Sequence, residues 1–228
     1  MFLTPNNKLK VKWLGWGTAL TAVLVVLGIA WFDRPLYLLM RHLDSGVWKV
    51  FDSIFDAKVW LVLTGVLLML VFVKKSVNSG VKYKNVKNKF SMVVVVKDFL
   101  AKVKNNYAFL IFSSVFGACI TVDIIKVIVG RFRPIFFEAL GVTGFRPFSF
   151  EWAFNSMPSG HAAATFAGLV MIGLLAPKFK PLTWTIAIIV GVSRVACGAP
   201  WPTDVILGAF IGMVAADLIK YWAFKYKK

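Results

Sequence analysis

LTWTIAIIVGVSRVACGA at 182–199 and TDVILGAFIGMVAADLIKYWAF at 203–224 are two long apolar segments with only Pro200-Trp201-Pro202 between them. Segments of about 17–25 mostly apolar residues can cross the hydrocarbon core of a bilayer. Lipid offers no hydrogen-bond partner to backbone N–H and C=O groups, so a segment in lipid must satisfy them within itself and forms a helix. These two segments therefore predict two membrane-spanning helices joined by a tight turn.

The same pattern occurs six times along the chain, at about 13–32, 57–73, 107–129, 158–177, 182–199 and 203–224. The composition agrees, because 59% of the 228 residues are hydrophobic and the mean hydropathy is +0.74, whereas soluble domains are about half apolar. The first segment runs into Asp33-Arg34-Pro35 without a small-residue cleavage motif, which favours a retained span over a signal peptide. We predict an all-α polytopic membrane protein with six transmembrane helices, in which residues 1–228 form a single domain.

The basic residues predict how the chain is oriented. The net charge is +17, and 18 of the 27 Lys and Arg lie in four places: Lys8 to Lys12, the 74–104 loop, the pair Lys178/Lys180, and the end from Lys220. All four fall on one side of a six-span topology, which the positive-inside rule makes cytoplasmic together with both termini. Residues 33–56, 130–157 and the turn at 200–203 are then expected to lie in outer loops. We therefore expect a lipid bilayer and no nucleic acid as partner, with the 74–104 loop attracting anionic headgroups.

Three motifs suited to phosphate binding lie at the opposite, outer ends of the predicted helices: Lys126 with Arg133-Pro134, then Pro158-Ser159-Gly160-His161, then Ser193-Arg194 with Asp204. Lys126 and Arg133 are seven residues apart, close to two helical turns, so both side chains point the same way. A guanidinium fork can bind two phosphate oxygens, and a lysine supplies a compact charge.

The second and third motifs each have a structural alternative. Pro158 suits a first helical turn, whose N–H groups bind anions, and Gly160 lets the backbone approach a phosphate. His161 can donate a proton, although Ser-Gly-His also suits a plain helix cap. Arg194 lies within an apolar segment, which indicates an anionic partner. Asp204 has a structural alternative, because a carboxylate also suits a helix N-terminus.

In order and spacing the three motifs resemble the type 2 phosphatidic acid phosphatase family, whose pattern is K-x6-R-P, P-S-G-H and S-R-x5-H-x3-D. The resemblance covers about 107–224 and implies a core similar to the helical bundle of vanadium haloperoxidases. It implies hydrolysis of a lipid phosphate through a phosphohistidine, without metal or cofactor. By resemblance the phosphate would be held by Lys126, Arg133, Ser159, Gly160 and Arg194. His161 would protonate the leaving group, and Asp204 would orient the nucleophile at position 200.

Pro200 departs from this pattern, because it stands where the family has its nucleophilic histidine. A proline within a chain has neither a nucleophilic nitrogen nor an N–H, so we expect a strongly impaired enzyme. Either the chain is an altered form of an active phosphatase, which the intact remainder of the motifs favours, or it is a natural pseudoenzyme that binds phosphorylated lipid. A small transporter with Arg194 and Asp123 as gating charges is the third alternative, but the inverted repeats typical of transporters are absent from the sequence.

The site should face the exterior or periplasm of a bacterial inner membrane, with a phosphorylated membrane lipid as substrate. Undecaprenyl pyrophosphate, phosphatidylglycerophosphate and lipid A phosphates are the family's bacterial substrates, and the aromatic 135–157 loop is expected at the site's entrance. No metal site and no obligate protein partner are predicted. We expect a solvated His42, an Asp123–Lys126 ion pair, Arg131 as a phosphate contact or surface charge, and Cys119 and Cys197 buried without a disulfide.

Overall fold

A computed structural model describes residues 1–4, 6–43, 45–78 and 106–225. Apart from two isolated β-bridges, its regular structure is helical. The main helices are α1 (Val11–Leu27), α2 (Asp33–Arg41), α3 (Gly46–Ile54), α4 (Ala57–Asn78), α5 (Tyr107–Val129), α6 (Pro134–Leu140), α7 (Gly160–Leu175), α8 (Lys180–Ala196) and α9 (Pro202–Phe224). Most of the basic 74–104 segment, with its expected contact to anionic lipid, lies outside the described residues.

The chain is a multi-pass membrane protein. Four described helical segments are long and apolar enough to cross a bilayer: Val11–Arg41, Tyr107–Val129, Pro177–Ala196 and Pro202–Phe224. A fifth is possible if α3 and the first part of α4, which are bent by 41° relative to each other, form one span. Five of the six predicted segments thus coincide with these helices. The count of six stays a prediction, because α7, which corresponds to the predicted span at 158–177, has only 16 residues and a length of about 24 Å.

The first span continues further than the sequence predicts. A π-helical turn, Gly28–Phe32, connects α1 directly to α2, so Asp33 begins a helix and does not begin an outer loop. Pro35 lies in the first turn of α2 and has no N–H to bond the helical turn before it, and such prolines are a usual cause of an irregular helix. The side chain of Asp33 is buried at 2% exposure, which brings a carboxylate from the first span into the interior.

Helix α7 lies at the centre of the bundle. It contacts α4, α5, α8 and α9, and most of its residues are buried. Small side chains make this possible: Ala162, Ala163 and Ala167 are fully buried, and they allow neighbouring backbones to approach closely. Because protein surrounds α7 on several sides, its N-terminal residues lie inside the bundle and face the other motif-bearing helices.

Two glycines bring α9 against α7. A Cβ at Gly208 would collide with the carbonyl oxygen of Ser159, and one at Gly212 would collide with that of Ala163. The four-residue spacing places both glycines on one face of α9. This close approach also supports a backbone hydrogen bond of 2.9 Å from the N–H of Ser159 to the carbonyl of Asp204. The helix pair thereby fixes the second and third motifs relative to each other.

Gly208→Ala is expected to lower the free energy of unfolding by about 1–3 kcal/mol, because overpacking a close helix contact forces the backbones apart. The matched control is Gly117→Ala in α5, where a Cβ meets nothing within 4 Å. That variant should be neutral or slightly stabilising. Thermal unfolding of both variants in the same detergent measures the difference. Equal melting temperatures for the two variants would contradict the close α7–α9 contact.

Candidate active site

One cavity of ≈ 500 Å³ is lined by residues from each of the three motifs. It opens where the ends of α3, α5, α7 and α8 meet. Four basic and three acidic side chains line it, so its charges nearly balance before any ligand enters. The lining residues are Asp52, Asp56, Ala57, Lys58, Leu61, Cys119, Asp123, Lys126, Arg133, Trp152, Ser156, Ser159, Gly160, His161, Arg194, Ala199 and Pro200.

The Lys126 and Arg133 side chains both line this cavity, as their spacing predicts. Lys126 lies in the last turn of α5, and Gly130, with φ of 61°, ends that helix in the left-handed conformation that favours glycine. Arg133 then caps α6. The Nζ of Lys126 lies 3.6 Å from where a Cβ on Gly160 would stand. Gly160 therefore leaves room for the lysine beside the start of α7.

The outer loop holds the guanidinium of Arg133 in place. Its Nε donates to the carbonyl of Trp152 at 2.9 Å, its Nη2 donates to that of Asn155 at 3.4 Å, and its Cζ lies 4.0 Å above the Trp152 ring. Burial lowers the pKa of Arg133 from its usual range, and the Asp204 carboxylate opposes that effect. The remaining N–H donors are available to an anion in the cavity.

The second motif forms the N-terminus of α7, with one correction. Ser159 is the N-cap and its Oγ accepts from the N–H of Ala162 at 3.4 Å, so the helix begins at Gly160. Pro158 therefore precedes the cap, behind a cis peptide bond, and does not occupy the first turn as predicted. Ser159, Gly160 and His161 all line the cavity. A helix N-terminus directed at this space favours a negatively charged ligand.

Two aspartates in the cavity were not predicted. Asp56 Oδ2 lies 2.7 Å from Nε2 of His161, and Asp52 forms an ion pair with Nη1 of Arg194. Both acids come from the WKVFDSIFD stretch at 48–56, which was assigned to an outer loop. Their spacing of four residues was the available signal, because within a helix it would place the two carboxylates on one side. Although α3 ends at Ile54, both side chains line the cavity. The cavity therefore already holds carboxylates beside a predicted phosphate-binding arginine and the predicted acid.

Asp204 is fully buried and is not among the residues that line the cavity. Its Oδ1 accepts from Arg131 at 2.7 Å, and its Oδ2 accepts from Ser156 Oγ at 2.5 Å and from the N–H of Trp201 at 2.9 Å. The last of these bonds caps α9, as the alternative interpretation of Asp204 expects. Its role in orienting a nucleophile stays a prediction.

Arg131 is neither a phosphate contact nor a surface charge, which corrects both expectations. It is buried at 6% exposure and bonds Asp33 at 2.6 Å as well as Asp204. Neither Arg131 nor Asp33 lines the main cavity. The expectation failed because the sequence places Asp33 in an outer loop and so offers Arg131 no buried partner.

Pro200 is buried and lines the cavity next to Ala199, in the turn between α8 and α9. The turn requires Gly198, whose φ of 77° favours glycine. The side chain at position 200 thus faces the same space as Arg194 and Ser159, where a histidine of the family pattern would be expected.

The remaining candidates lie as follows. His42 is exposed and outside the cavity, as expected. Asp123 and Lys126 both line the cavity, but no ion pair joins them in the described part of the chain, contrary to the prediction. Cys119 and Cys197 are not joined by a disulfide and are only half-buried, against the expectation of burial. Among the described residues, no group of three or more His, Cys, Asp or Glu could hold a metal ion.

Comparison with known proteins agrees with these motifs. The model of the PAP2 superfamily matches residues 106–228. A lipid A 1-phosphatase of Rhizobium johnstonii is 38% identical over 105 residues, which is 46% of this chain and 43% of that protein. The corresponding protein of Rhizobium etli is 36% identical over 102 residues, 45% of this chain and 44% of that one. This chain therefore matches less than half the length of these relatives.

Two further similarities are more limited. An undecaprenyl-diphosphatase of Sulfolobus acidocaldarius is 43% identical over 58 residues, 25% of this chain and 28% of that protein. A crystal structure of a transmembrane PAP2-type phosphatidylglycerolphosphate phosphatase from Bacillus subtilis aligns with a TM-score of 0.43 and 19% identity. That alignment covers 86% of this chain and 96% of the other chain.

Orthovanadate, a phosphate analogue, should raise the melting temperature of the detergent-purified protein, because a ligand that binds only the folded state stabilises it. At a hundred times its Kd the gain is about 2.7 kcal/mol. Arg194→Ala should abolish the shift. Asp52→Asn should enlarge it, since the asparagine no longer competes with the anion for Arg194. An unchanged shift in Arg194→Ala would show that this arginine is structural.

Proposed function

Because this chain belongs to the PAP2 superfamily, we propose that its cavity binds the phosphate group of a membrane lipid and is built to hydrolyse it. One observation carries the proposal. Lys126, Arg133, Arg194 and the Ser159–His161 turn come from three distant parts of the sequence and line a single cavity in a membrane protein. Three cationic side chains at one helix N-terminus suit a phosphoryl group, whose charge lies on its equatorial oxygens.

The roles of the residues follow from their chemistry. Lys126, Arg133 and Arg194 balance the charge of the phosphate, and the Ser159 hydroxyl and the Gly160 N–H donate hydrogen bonds to its oxygens. His161 supplies a proton to the leaving oxygen. Asp52 must release Arg194, or share it, when the substrate enters. Asp204 supports position 200 through the Trp201 turn, 2.9 Å from the Trp201 N–H.

Position 200 limits the reaction. Proline cannot form a phosphohistidine, so the covalent route of the family is closed in this chain. Direct attack by water remains available, with the cationic side chains stabilising the transition state. In enzymes that lose a nucleophile but keep such groups, a residual rate of roughly 10³-fold over water can persist. We therefore propose a site that binds lipid phosphate well and turns it over slowly, as an altered form of an active phosphatase.

A lipid phosphomonoester is the substrate that we favour. The two Rhizobium relatives are lipid A 1-phosphatases, which suggests a phosphate on a glycolipid. The aromatic loop supports a substrate held at the membrane surface, because Phe148, Phe150 and Trp152 are 74%, 85% and 65% exposed and such side chains favour the bilayer interface. The undecaprenyl-diphosphatase similarity keeps a lipid pyrophosphate as the second candidate.

We propose six spans, with α7 as the fourth, both termini cytoplasmic and the cavity on the outer face. A reporter fused after Lys228 should then report a cytoplasmic position, and one inserted near Phe148 an external position, because the basic clusters lie on the side of the termini. Paired alkaline phosphatase and fluorescent protein fusions measure this. The reverse pattern would place the cavity on the cytoplasmic face and remove the argument for an outer-leaflet substrate.

Pro200→His should raise phosphate release by several orders of magnitude, since it restores a nucleophile among groups already in place. A labelled phosphoenzyme should become trappable on denaturation in this variant, and none should be trapped from the chain as it stands. Pro200→Ala is the matched control, because it removes the proline ring without adding a nucleophile. Its rate of phosphate release should stay as low as that of the unchanged chain. Full activity in the unchanged chain would contradict the assignment of position 200.

A further inference from the structure

The pairing of His161 with Asp56 fixes how the histidine can act. Nε2 of the ring lies 2.7 Å from Oδ2 of Asp56, so Nε2 donates its proton to the carboxylate. In the described part of the chain no other hydrogen bond to the ring is formed. Nδ1 is therefore the ring nitrogen left for a substrate in the cavity.

The charges around the ring explain why a carboxylate is needed there. Lys126 and Arg133 line the same cavity, and their positive charges disfavour protonation of the His161 ring. If His161 acts as an acid through Nδ1 while Nε2 keeps its own proton, the ring carries both protons and is an imidazolium cation. A carboxylate in direct contact with Nε2 stabilises that cation and holds the ring in one orientation.

Asp56 is well placed for this task. It follows the last turn of α3, and its Oδ1 accepts from the N–H of Lys58 at 2.6 Å, which leaves Oδ2 for the histidine. Its side chain is 32% exposed and that of His161 is 23% exposed. The pair thus lies at the wall of the cavity, where a leaving group can reach it.

Resting on the proposed function, we propose that Asp56 is a positioning residue for His161, and that the pair serves substrates whose leaving group is an alcohol. As the P–O bond breaks, Nδ1 of His161 gives its proton to the ester oxygen, which leaves as the alcohol. The phosphoryl group passes to a water molecule, one proton of which stays on the phosphate product while the other returns to Nδ1 of His161. With a histidine restored at position 200, the phosphoryl group passes first to that histidine, and water then hydrolyses the phosphohistidine and supplies the same two protons. Nε2 keeps its bond to Asp56 throughout.

This role predicts which substrates depend on Asp56. An alkoxide is a poor leaving group and needs the proton, whereas p-nitrophenolate and the phosphate released from a pyrophosphate leave readily without it. The pair would therefore matter most for a phosphomonoester of a sugar or alkyl hydroxyl. If Asp56 were purely structural, its loss would lower the rate equally for all of these substrates.

The test uses Pro200→His as the active background and compares dodecyl phosphate with p-nitrophenyl phosphate in detergent micelles. Asp56→Asn should lower kcat about 100-fold for dodecyl phosphate and less than about threefold for p-nitrophenyl phosphate, with KM little changed, since general acid catalysis contributes about 10²–10⁴-fold. The control is Glu151→Gln, which removes one exposed carboxylate that pairs with Arg146 and does not line the cavity. It should leave both rates within about twofold. Equal losses on the two compounds, or no loss, would overturn the proposal.

A second measurement does not depend on turnover. The chain has only two histidines, so His42→Gln leaves His161 as the single signal in a ¹⁵N-histidine NMR spectrum. Asp56→Asn should shift the Nε2–H resonance of His161, and Glu151→Gln should not. If the resonance does not change in Asp56→Asn, the pairing is wrong. If Pro200→His releases phosphate from neither compound, the proposed function fails, and this spectrum alone decides whether the pair exists.

Discussion

The buried guanidinium of Arg131 ties the first span to the last. It lies between the carboxylates of Asp33 in α2 and Asp204 in α9, at 2.6 and 2.7 Å, and all three side chains are less than a tenth exposed. Thr203 completes the network, because its Oγ1 bonds both Arg131 and Asp33. A buried charge that loses one partner costs about 3–5 kcal/mol, so the network holds the two spans and the loop after α5 against one another.

The cavity inherits its shape from this network. Asp204 accepts from Ser156 in the outer loop, and its backbone carbonyl accepts from Ser159 at the start of α7. The same residue therefore fixes the loop that carries Trp152, the N-terminus that carries His161, and the turn that carries Pro200. Arg133 depends on it indirectly, because its guanidinium is held by carbonyls of that loop.

The sequence predicts the helices and the convergence of the motifs, since hydropathy and residue type are local properties. Tyr107–Val129 matches the predicted third span at both ends, and Lys126, Arg133, Ser159 and Arg194 meet as expected. It does not predict contacts that require distant segments to be placed first. Asp33, Asp52 and Asp56 belong to a stretch assigned to an outer loop, where a carboxylate has no evident partner. The expectation for Arg131 was wrong for the same reason, because its buried partner Asp33 lies in that stretch.

The intact surroundings of Pro200 are weaker support for activity than the sequence alone suggests. Asp204 holds the fold through Arg131 and Ser156, so the protein needs it whether or not position 200 is a nucleophile. Arg133 donates hydrogen bonds to loop carbonyls, and Arg194 forms an ion pair with Asp52, so both arginines also have structural partners. Lys126 differs, because in the described part of the chain its Nζ has no hydrogen-bonded or ion-pair partner although it points into a partly buried cavity. The carboxylates of Asp123 and Asp204 attract this lysine only from a distance, so its ammonium group can contact a ligand anion, as the proposed binding of phosphate requires whether or not turnover follows.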